Sequence, residues 1–277
     1  MEDLAGKIDI GQFGGLAGVG TEHMLVCYVD RILQLLDTHA DRAAVIATSL
    51  DWAGAFDRQD PTLAIKKFIN MGVRSSLIPI LASYLTDRKM RVKLKNELSD
   101  IFNLIGGGPQ GTLLGGIEYL VQSNDNADYI SPEDRFKYVD DLSLLQFVCL
   151  TGLLVNYNFF NHVASDIGID QKFLHANSIP VQNNLDQAVK WTNENLMKLN
   201  TAKCNYMIFT RSQDFATRLT IDENKIERVK VSKLLGIWIS EDLSWAKNCQ
   251  EICKKAFSRL SMITKLKYVG VSVYKIC

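Results

Sequence analysis

The chain has 277 residues, of which 47% are hydrophobic and 22% are charged. These are globular values, so the composition excludes a largely disordered chain, and the length predicts one large domain or two small ones. Because 31 Lys and Arg balance 31 Asp and Glu, the zero net charge argues against a protein that coats nucleic acid by bulk attraction alone, although it leaves room for local basic surfaces.

Hydrophobic periodicity predicts helices alternating with short strands along the chain. The predicted helices cover residues 22–37, 61–70, 76–85, 112–122, 153–164, 185–199 and 244–266. The predicted strands cover residues 43–50, 90–94, 101–105, 135–139, 142–148, 205–210, 218–221, 226–231 and 234–239. Segment 106–111 is predicted as a loop, because three consecutive glycines followed by proline suit neither a helix nor a central strand. The mixture of hairpins and helices indicates an α+β fold with helices packed on an antiparallel sheet.

Targeting signals and cysteine usage bear on the cellular compartment. No apolar run approaches the ~20 residues that a membrane span requires. The first residues lack the basic-then-apolar order of a secretory signal. The six cysteines form no Cys-x-x-Cys pair, so we interpret them as reduced thiols that mostly fill the core. With only four scattered histidines, zinc is not expected. These features predict an intracellular protein of the cytoplasm or nucleus that is not secreted and does not contact membranes.

Acidic side chains follow two predicted strands. Asp51 comes directly after the buried strand 43–50, and Asp140-Asp141 interrupt two apolar strands at a tight turn. Adjacent carboxylates repel each other unless a cation neutralises them, and hard oxygen ligands suit Mg²⁺ or Mn²⁺. Three acids from two strands could hold two such ions about 3.5–4 Å apart, an arrangement that activates an attacking hydroxyl and stabilises a leaving pyrophosphate. Taken alone, Asp140-Asp141 also suits an ordinary polar turn, and Asp51 a helix cap.

Five segments in a fixed order resemble the reverse transcriptase (RNA-directed DNA polymerase) domain of a non-LTR, LINE-type retrotransposon. They are the first catalytic motif Asp51–Asp57, the loop Gly108–Thr112, the polymerase signature Tyr138–Asp141, the next palm motif Leu196–Cys204 and the primer-grip segment Leu234–Trp238. Together they are far more specific than any one motif. The resemblance implies a right-hand polymerase, with a remnant of the fingers over 1–42, a palm with inserted fingers elements over 43–240, and the start of the thumb over 241–277.

The resemblance implies a catalytic role for four residues. Asp51 and Asp140 would bridge two Mg²⁺ ions, or Mn²⁺, with Asp141 beside them. The 3′-hydroxyl of a DNA primer would then attack the α-phosphate of a dNTP on an RNA template. Lys203 is a candidate acid for the departure of pyrophosphate, and a solvated surface lysine is the competing interpretation.

Three further residues would bind the substrates in this family. Phe56 matches the steric-gate position, where an aromatic ring rejects a 2′-hydroxyl; a core Phe behind the strand is the other interpretation. Gln110 and Gly111 would contact the nucleotide and the template, because small residues permit close backbone approach.

Two stretches concentrate positive charge. Residues 62–95 hold eight Lys and Arg against one acid, and residues 247–277 hold seven against one. Solvated helix faces would explain both stretches, but beside the motifs we favour contact with nucleic-acid phosphates.

The sequence departs from the family at both ends. Segment 12–21 lacks the basic residues of the fingers, and the thumb is only begun. We therefore expect an N- and C-terminally truncated domain. The leading hypothesis is an RNA-directed DNA polymerase, and the alternative is an inactive retroelement fragment with at most weak nucleic-acid binding. A two-metal nuclease is disfavoured, because the Gly-Pro-Gln-Gly loop and the primer grip have no role there. The sequence does not indicate an oligomeric state.

Overall fold

The structure is a computed structural model that describes residues 2–39, 43–149, 179–211 and 217–269. The helix predicted over 153–164 lies outside these residues. The chain divides into two compact units, Met1–Arg228 and Val229–Cys277.

The first unit combines five described helices with eleven strands. The helices are α1 (Thr21–His39), α2 (Pro61–Asn70), α3 (Ile78–Leu85), α4 (Leu113–Gln122) and α5 (Ile179–Glu194). The strands are β1 (Ala43–Leu50), β2 (Lys89–Met90), β3 (Lys93–Leu94), β4 (Glu97–Leu98), β5 (Phe102–Asn103), β6 (Arg135–Tyr138), β7 (Asp141–Cys149), β8 (Asn205–Thr210), β9 (Thr220–Ile221), β10 (Asn224–Lys225) and β11 (Glu227–Arg228).

A five-stranded sheet in the order β11-β8-β1-β7-β6 forms the centre of this unit. The four strands β8, β1, β7 and β6 are antiparallel, and β11 joins β8 in parallel. Strand β1 lies in the middle and is buried along almost all of its length, which explains why its sequence is a continuous run of small and β-branched residues. A buried, rigid strand therefore leads directly to Asp51.

Helices cover both faces of the sheet. On one face, Ile46 and Leu144 share a buried cluster with Leu185 and Trp191 of α5 and with Tyr119 of α4. On the other face, α1 contacts β1, β6, β7 and β8. Side chains alternate between the faces of a strand, so each helix layer buries one alternate set of apolar residues. This architecture confirms the predicted α+β fold, an antiparallel sheet with helices packed on it.

Several elements differ from their predictions at the ends. The helix predicted over 185–199 is Ile179–Glu194 instead, and Leu196 just beyond it has φ +56°, which a right-handed helix cannot contain. The hairpin predicted from 90–94 and 101–105 is divided into two short ladders, β2 with β5 and β3 with β4. The prediction that the cysteines mostly fill the core is wrong for the described ones, since only Cys204 is buried.

The second unit consists of one hairpin and one long helix. The hairpin pairs β12 (Val231–Leu234) with β13 (Ile237–Ser240), and the helix is α6 (Ala246–Tyr268). The turn residues Leu235 and Gly236 both have positive φ, as a tight two-residue hairpin requires. Apolar residues recur along α6 at helical spacing, among them Ile252, Leu260 and Ile263, but no residue of α6 is buried. Within the described ranges, no helix is both long and apolar enough to span a membrane.

Candidate functional site

The three predicted acids come together at one edge of the central sheet. Leu50, the last residue of β1, pairs with Leu142 of β7. Asp51 lies one residue beyond this last pair, so the same register carries it towards Asp141. Partial desolvation, followed by the charges of Asp140 and Asp51, raises the pKa of Asp141 above its ordinary value. The three carboxylates therefore share one electrostatic environment.

The turn that carries these acids differs by one residue from its prediction. Tyr138 pairs with Asp141, so the two turn residues are Val139 and Asp140, and Asp141 begins β7. Val139 has φ +58°, a left-handed conformation that is strained for a β-branched side chain. The turn consequently exposes Asp140 in a backbone conformation that the surrounding contacts must maintain.

The backbone of Asp51 is held by hydrogen bonds to segment 198–204. The Asp51 backbone N–H donates to Cys204 Sγ at 3.5 Å, and its carbonyl accepts the Asn200 N–H at 2.8 Å. Asp51 Oδ1 is buried without a hydrogen-bond partner, and the nearest cation, Lys203 Nζ, lies 3.6 Å away on a largely exposed side chain. A buried carboxylate oxygen without a partner calls for a ligand such as a cation.

These acids suit a metal ion whose remaining coordination positions are filled by water and substrate. Within the part of the chain that the structure describes, no three His, Cys, Asp or Glu side chains converge closely enough to hold a metal by themselves. Mg²⁺, however, is usually bound through one or two carboxylates together with waters and substrate phosphates. Asp51 Oδ1, which lacks a hydrogen-bond partner, fits such an open site together with Asp140 and Asp141.

The glycine-rich loop is anchored on the segment that follows Asp51. The Gly107 N–H donates to the Gln59 carbonyl at 2.8 Å, and the Gly108 N–H donates to the Phe56 carbonyl at 2.7 Å. Gln110 Nε2 donates to Asp57 Oδ1 at 2.8 Å. The first catalytic motif and the predicted nucleotide-positioning loop therefore form one hydrogen-bonded assembly.

Phe56 and Gly111 occupy different environments in this assembly. The Phe56 ring is half-buried, and its centroid lies 4.8 Å from that of the buried Tyr119. This contact fits the core interpretation, and the steric-gate role of Phe56 stays a prediction. Gly111 is exposed with φ +75°, a conformation that glycine adopts without strain.

Glu118 of α4 lies buried beneath the loop, which the sequence did not predict. Both of its carboxylate oxygens and both polar atoms of the Gln59 side chain lack hydrogen-bond partners. Arg88 donates to the carbonyls of Gly106 and Gly107, and its charge weakly favours the ionised form of Glu118. Desolvation dominates and raises the pKa of Glu118 from 4.5 to about 7.

Glu118→Gln is expected to remove a pH dependence of stability. Because the folded chain binds the proton more tightly than the unfolded chain, the stabilisation is complete below pH 4.5 and is lost as the pH rises through about 7. The free energy of unfolding of the wild-type chain should therefore fall by on the order of 3 kcal/mol between these two pH values, and that of Glu118→Gln should not show this fall. Urea unfolding of both proteins between pH 4.5 and 8 measures it. Equal pH profiles for the two proteins would contradict the burial of an ionisable Glu118.

A second buried charge cluster lies behind the catalytic turn. Lys137 of β6 is almost fully buried, and its Nζ lies 2.5 Å from Asp9 Oδ2. Arg135 Nη2 lies 2.8 Å from the other oxygen of Asp9. Burial alone would raise the pKa of Asp9, but the charge of Lys137 and the hydrogen bonds from Lys137 and Arg135 outweigh it and lower this pKa. Asp9 thus pairs with two cations, and Arg135 also pairs with Asp128 Oδ1 at 3.2 Å.

Part of the predicted basic surface has internal roles. Lys67 Nζ binds Asp125 at 2.6 Å and lies over the Trp191 ring, and Arg74 pairs with Asp3. Arg74 is nevertheless exposed, and the other exposed basic residues of the first stretch are Lys66, Lys89, Arg91, Lys93 and Lys95. In the second stretch, Lys254, Lys255, Arg259, Lys265 and Lys267 are exposed on α6. Two smaller basic surfaces therefore remain.

Comparison with known proteins gives relatives along most of the chain, although no protein-family model matches it. The chain is 26% identical over 87% of its length to the probable RNA-directed DNA polymerase from transposon X-element of Drosophila melanogaster. It is 23% identical over 91% of its length to the corresponding protein from transposon BS of the same organism. The matches cover 24% and 26% of these relatives, so the chain spans about a quarter of their length.

A solved structure shares the fold. The apo telomerase from Candida tropicalis, truncated from its C-terminal domain, superposes with a TM-score of 0.54 at 11% identity. The match covers 88% of this chain and 42% of that chain. At this identity the likeness concerns the fold alone, and it agrees with the antiparallel sheet and its helices. The sequence relatives and this fold together support the predicted resemblance: the chain is similar, along most of its length, to RNA-directed DNA polymerases of mobile elements.

Proposed function

We propose that this domain catalyses RNA-directed DNA synthesis, in which a nucleotide passes from a dNTP to the 3′-hydroxyl of a DNA primer on an RNA template. One observation carries the proposal: Asp51, Asp140 and Asp141 lie at one sheet edge, and Asp51 Oδ1 is buried without a hydrogen-bond partner. The relatives named above are RNA-directed DNA polymerases, which supports the same reaction.

The acids would hold the metal ions of this reaction. Two Mg²⁺ ions, or Mn²⁺, bound at Asp51, Asp140 and Asp141 would supply Lewis acidity and neutralise developing charge. Asp51 is preorganised for this role, because its backbone carbonyl is bound by the Asn200 N–H and its backbone N–H by Cys204 Sγ. A fixed carboxylate needs no reorganisation when substrate arrives, which is how positioning lowers the barrier.

The remaining site residues would bind and orient the substrates. Lys203, at 3.6 Å from Asp51 and largely exposed, can reach a departing pyrophosphate and donate a proton to it. Gln110 and Gly111 would contact the nucleotide and template from the loop that Asp57 holds. Phe56, on the same segment, would limit the space at the sugar.

The domain assignment and the nucleic-acid surface belong to the same proposal. The five-stranded sheet would be the palm, segment 1–42 a remnant of the fingers and segment 241–277 the start of the thumb. The exposed basic residues of segment 89–95 and of α6 would contact phosphates of the RNA–DNA duplex, a contact that weakens with salt.

An inactive retroelement fragment is the second candidate, and one observation favours it. Glu118 lies unpartnered directly beneath the loop that carries Gln110, and above pH 7 its charge opposes tight packing there. Such a fragment would bind nucleic acid weakly and catalyse nothing.

Primer extension by the purified full chain distinguishes the two candidates. With an RNA template, a labelled DNA primer, dNTPs and Mg²⁺, we expect stepwise extension that EDTA abolishes. Fluorescence anisotropy of the labelled duplex reports binding separately from catalysis. If the folded chain binds the duplex but incorporates no nucleotide with Mg²⁺ or Mn²⁺, the polymerase proposal fails and the inactive fragment is supported.

A further inference from the structure

Segment 9–14 runs along the outer edge of β6, beside the turn that carries Asp140. The Phe13 N–H donates to the Lys137 carbonyl at 2.8 Å, and the Lys137 N–H donates to the Gly11 carbonyl at 2.8 Å. Gln12 and Lys137 form a parallel bridge. The segment therefore extends the central sheet by one short strand-like piece.

Two glycines allow this segment to lie directly against the backbone of β6 and its turn. A Cβ on Gly14 would lie 2.5 Å from Val139 N, and a Cβ on Gly11 would lie 2.5 Å from Arg135 O. Real Cβ atoms do not approach backbone atoms this closely, so neither position tolerates a side chain without a shift of the chain. The close approach brings the Gln12 side chain within reach of the turn.

Gln12 makes its hydrogen bonds at the strained residue of that turn. The side chain is buried, and its Oε1 accepts the Gly14 N–H at 3.0 Å and the Val139 N–H at 3.3 Å. Val139, with φ +58°, directly precedes Asp140. Without an acceptor its partly buried N–H would be left unpaired, which is unfavourable. The strained conformation would then lose a contact that maintains it.

We propose that Gln12 is a positioning residue, whose Oε1 holds the Val139-Asp140 turn in its left-handed conformation and so fixes where Asp140 is presented. The effect on catalysis rests on the proposed function of Asp140. The effect on the turn does not rest on it, and can be measured in the absence of activity.

Amide hydrogen exchange of the full chain tests the effect on the turn. In Gln12→Met, which keeps the length of the side chain but removes the acceptor, we expect exchange at the Val139 amide to be at least tenfold faster. In Gln12→Glu, which keeps an acceptor oxygen, we expect protection to return to within a few-fold of wild type. Gln122→Met is the matched control, because Gln122 is equally buried and neither of its side-chain polar atoms has a partner.

Two results would overturn the proposal. One is an unchanged Val139 exchange rate in folded Gln12→Met, and the other is an equal acceleration throughout β6 and β7, which would indicate a general loss of stability. Primer extension adds a second readout: kcat should fall at least tenfold in Gln12→Met, recover in Gln12→Glu and stay unchanged in Gln122→Met. If the wild-type chain extends no primer, the proposed function fails, while the exchange rates still decide the role of Gln12.

Discussion

Asp9→Ala is expected to lower the free energy of unfolding by about 3–5 kcal/mol, because it leaves the buried Lys137 ammonium without the carboxylate that pairs with it. Asp9 contacts Lys137 at 2.5 Å and Arg135 at 2.8 Å, and its own side chain is only 2% exposed. Removing the carboxylate leaves the Lys137 ammonium dependent on the Asn124 carbonyl, which it reaches at 2.8 Å. One neutral acceptor does not offset the desolvation of a full charge.

Equilibrium urea unfolding at neutral pH measures this loss. Asp37→Ala is the matched control, because it also breaks an Arg–Asp pair, but one in which both side chains are at least half exposed. Exposed pairs contribute little to stability, so the control should unfold close to wild type. Equal, small effects of the two substitutions would show that the cluster around Asp9 is not effectively buried.

Asp140→Asn is expected to reduce primer extension at least about 1,000-fold while leaving the fold intact. Loss of a metal-binding carboxylate removes several kcal/mol of transition-state stabilisation, and each 1.36 kcal/mol corresponds to a tenfold change in rate. Asp140 is exposed in its turn, so its replacement removes no core contact. Steady-state kinetics on the primer–template duplex, with urea unfolding alongside, separates the effect on catalysis from the effect on stability.

Asp30→Asn serves as the control for a change of charge. Asp30 is an exposed acid on α1 whose contact is with Gln34, one turn away on the same helix. Its replacement alters the net charge by the same amount, and we expect it to retain the wild-type rate. Wild-type kcat in Asp140→Asn would exclude this residue as a metal ligand, whereas an equal loss in both variants would point to a general effect of charge.

The parts of the fold that depend on local sequence were predictable. The apolar run of β1 predicts the strand 43–50 with the bounds the structure has, and Pro61 marks the first residue of α2. Asp60 caps that helix through a hydrogen bond to the Leu63 N–H, a pattern recognisable from sequence. The positions of the three acids at strand ends were also predictable, whereas their role in a site stays a prediction.

The contacts between distant segments were not predictable. Segment 9–14 has little periodic pattern, yet its Gln12 side chain reaches Val139, 127 residues away. Nothing in the sequence near Lys137 or Asp9 indicates that they form a buried pair. The one-residue shift of the catalytic turn depends on the same contacts, because they support a conformation that the isolated residue Val139 would not favour. For α6, the hydrophobic pattern predicts the helix, but it does not reveal that the apolar side chains of this helix are not buried.

Segment 9–14 has a further consequence for how the chain behaves among other copies of itself. An uncovered edge strand presents free N–H and C=O groups to any passing chain and is a common starting point for aggregation. Here the backbone hydrogen bonds between Gly11, Phe13 and Lys137 occupy that edge of β6. The opposite edge of the sheet is formed by β11, which has only two residues and offers little length for pairing. The segment that pairs with β6 thus also protects the sheet against intermolecular strand addition.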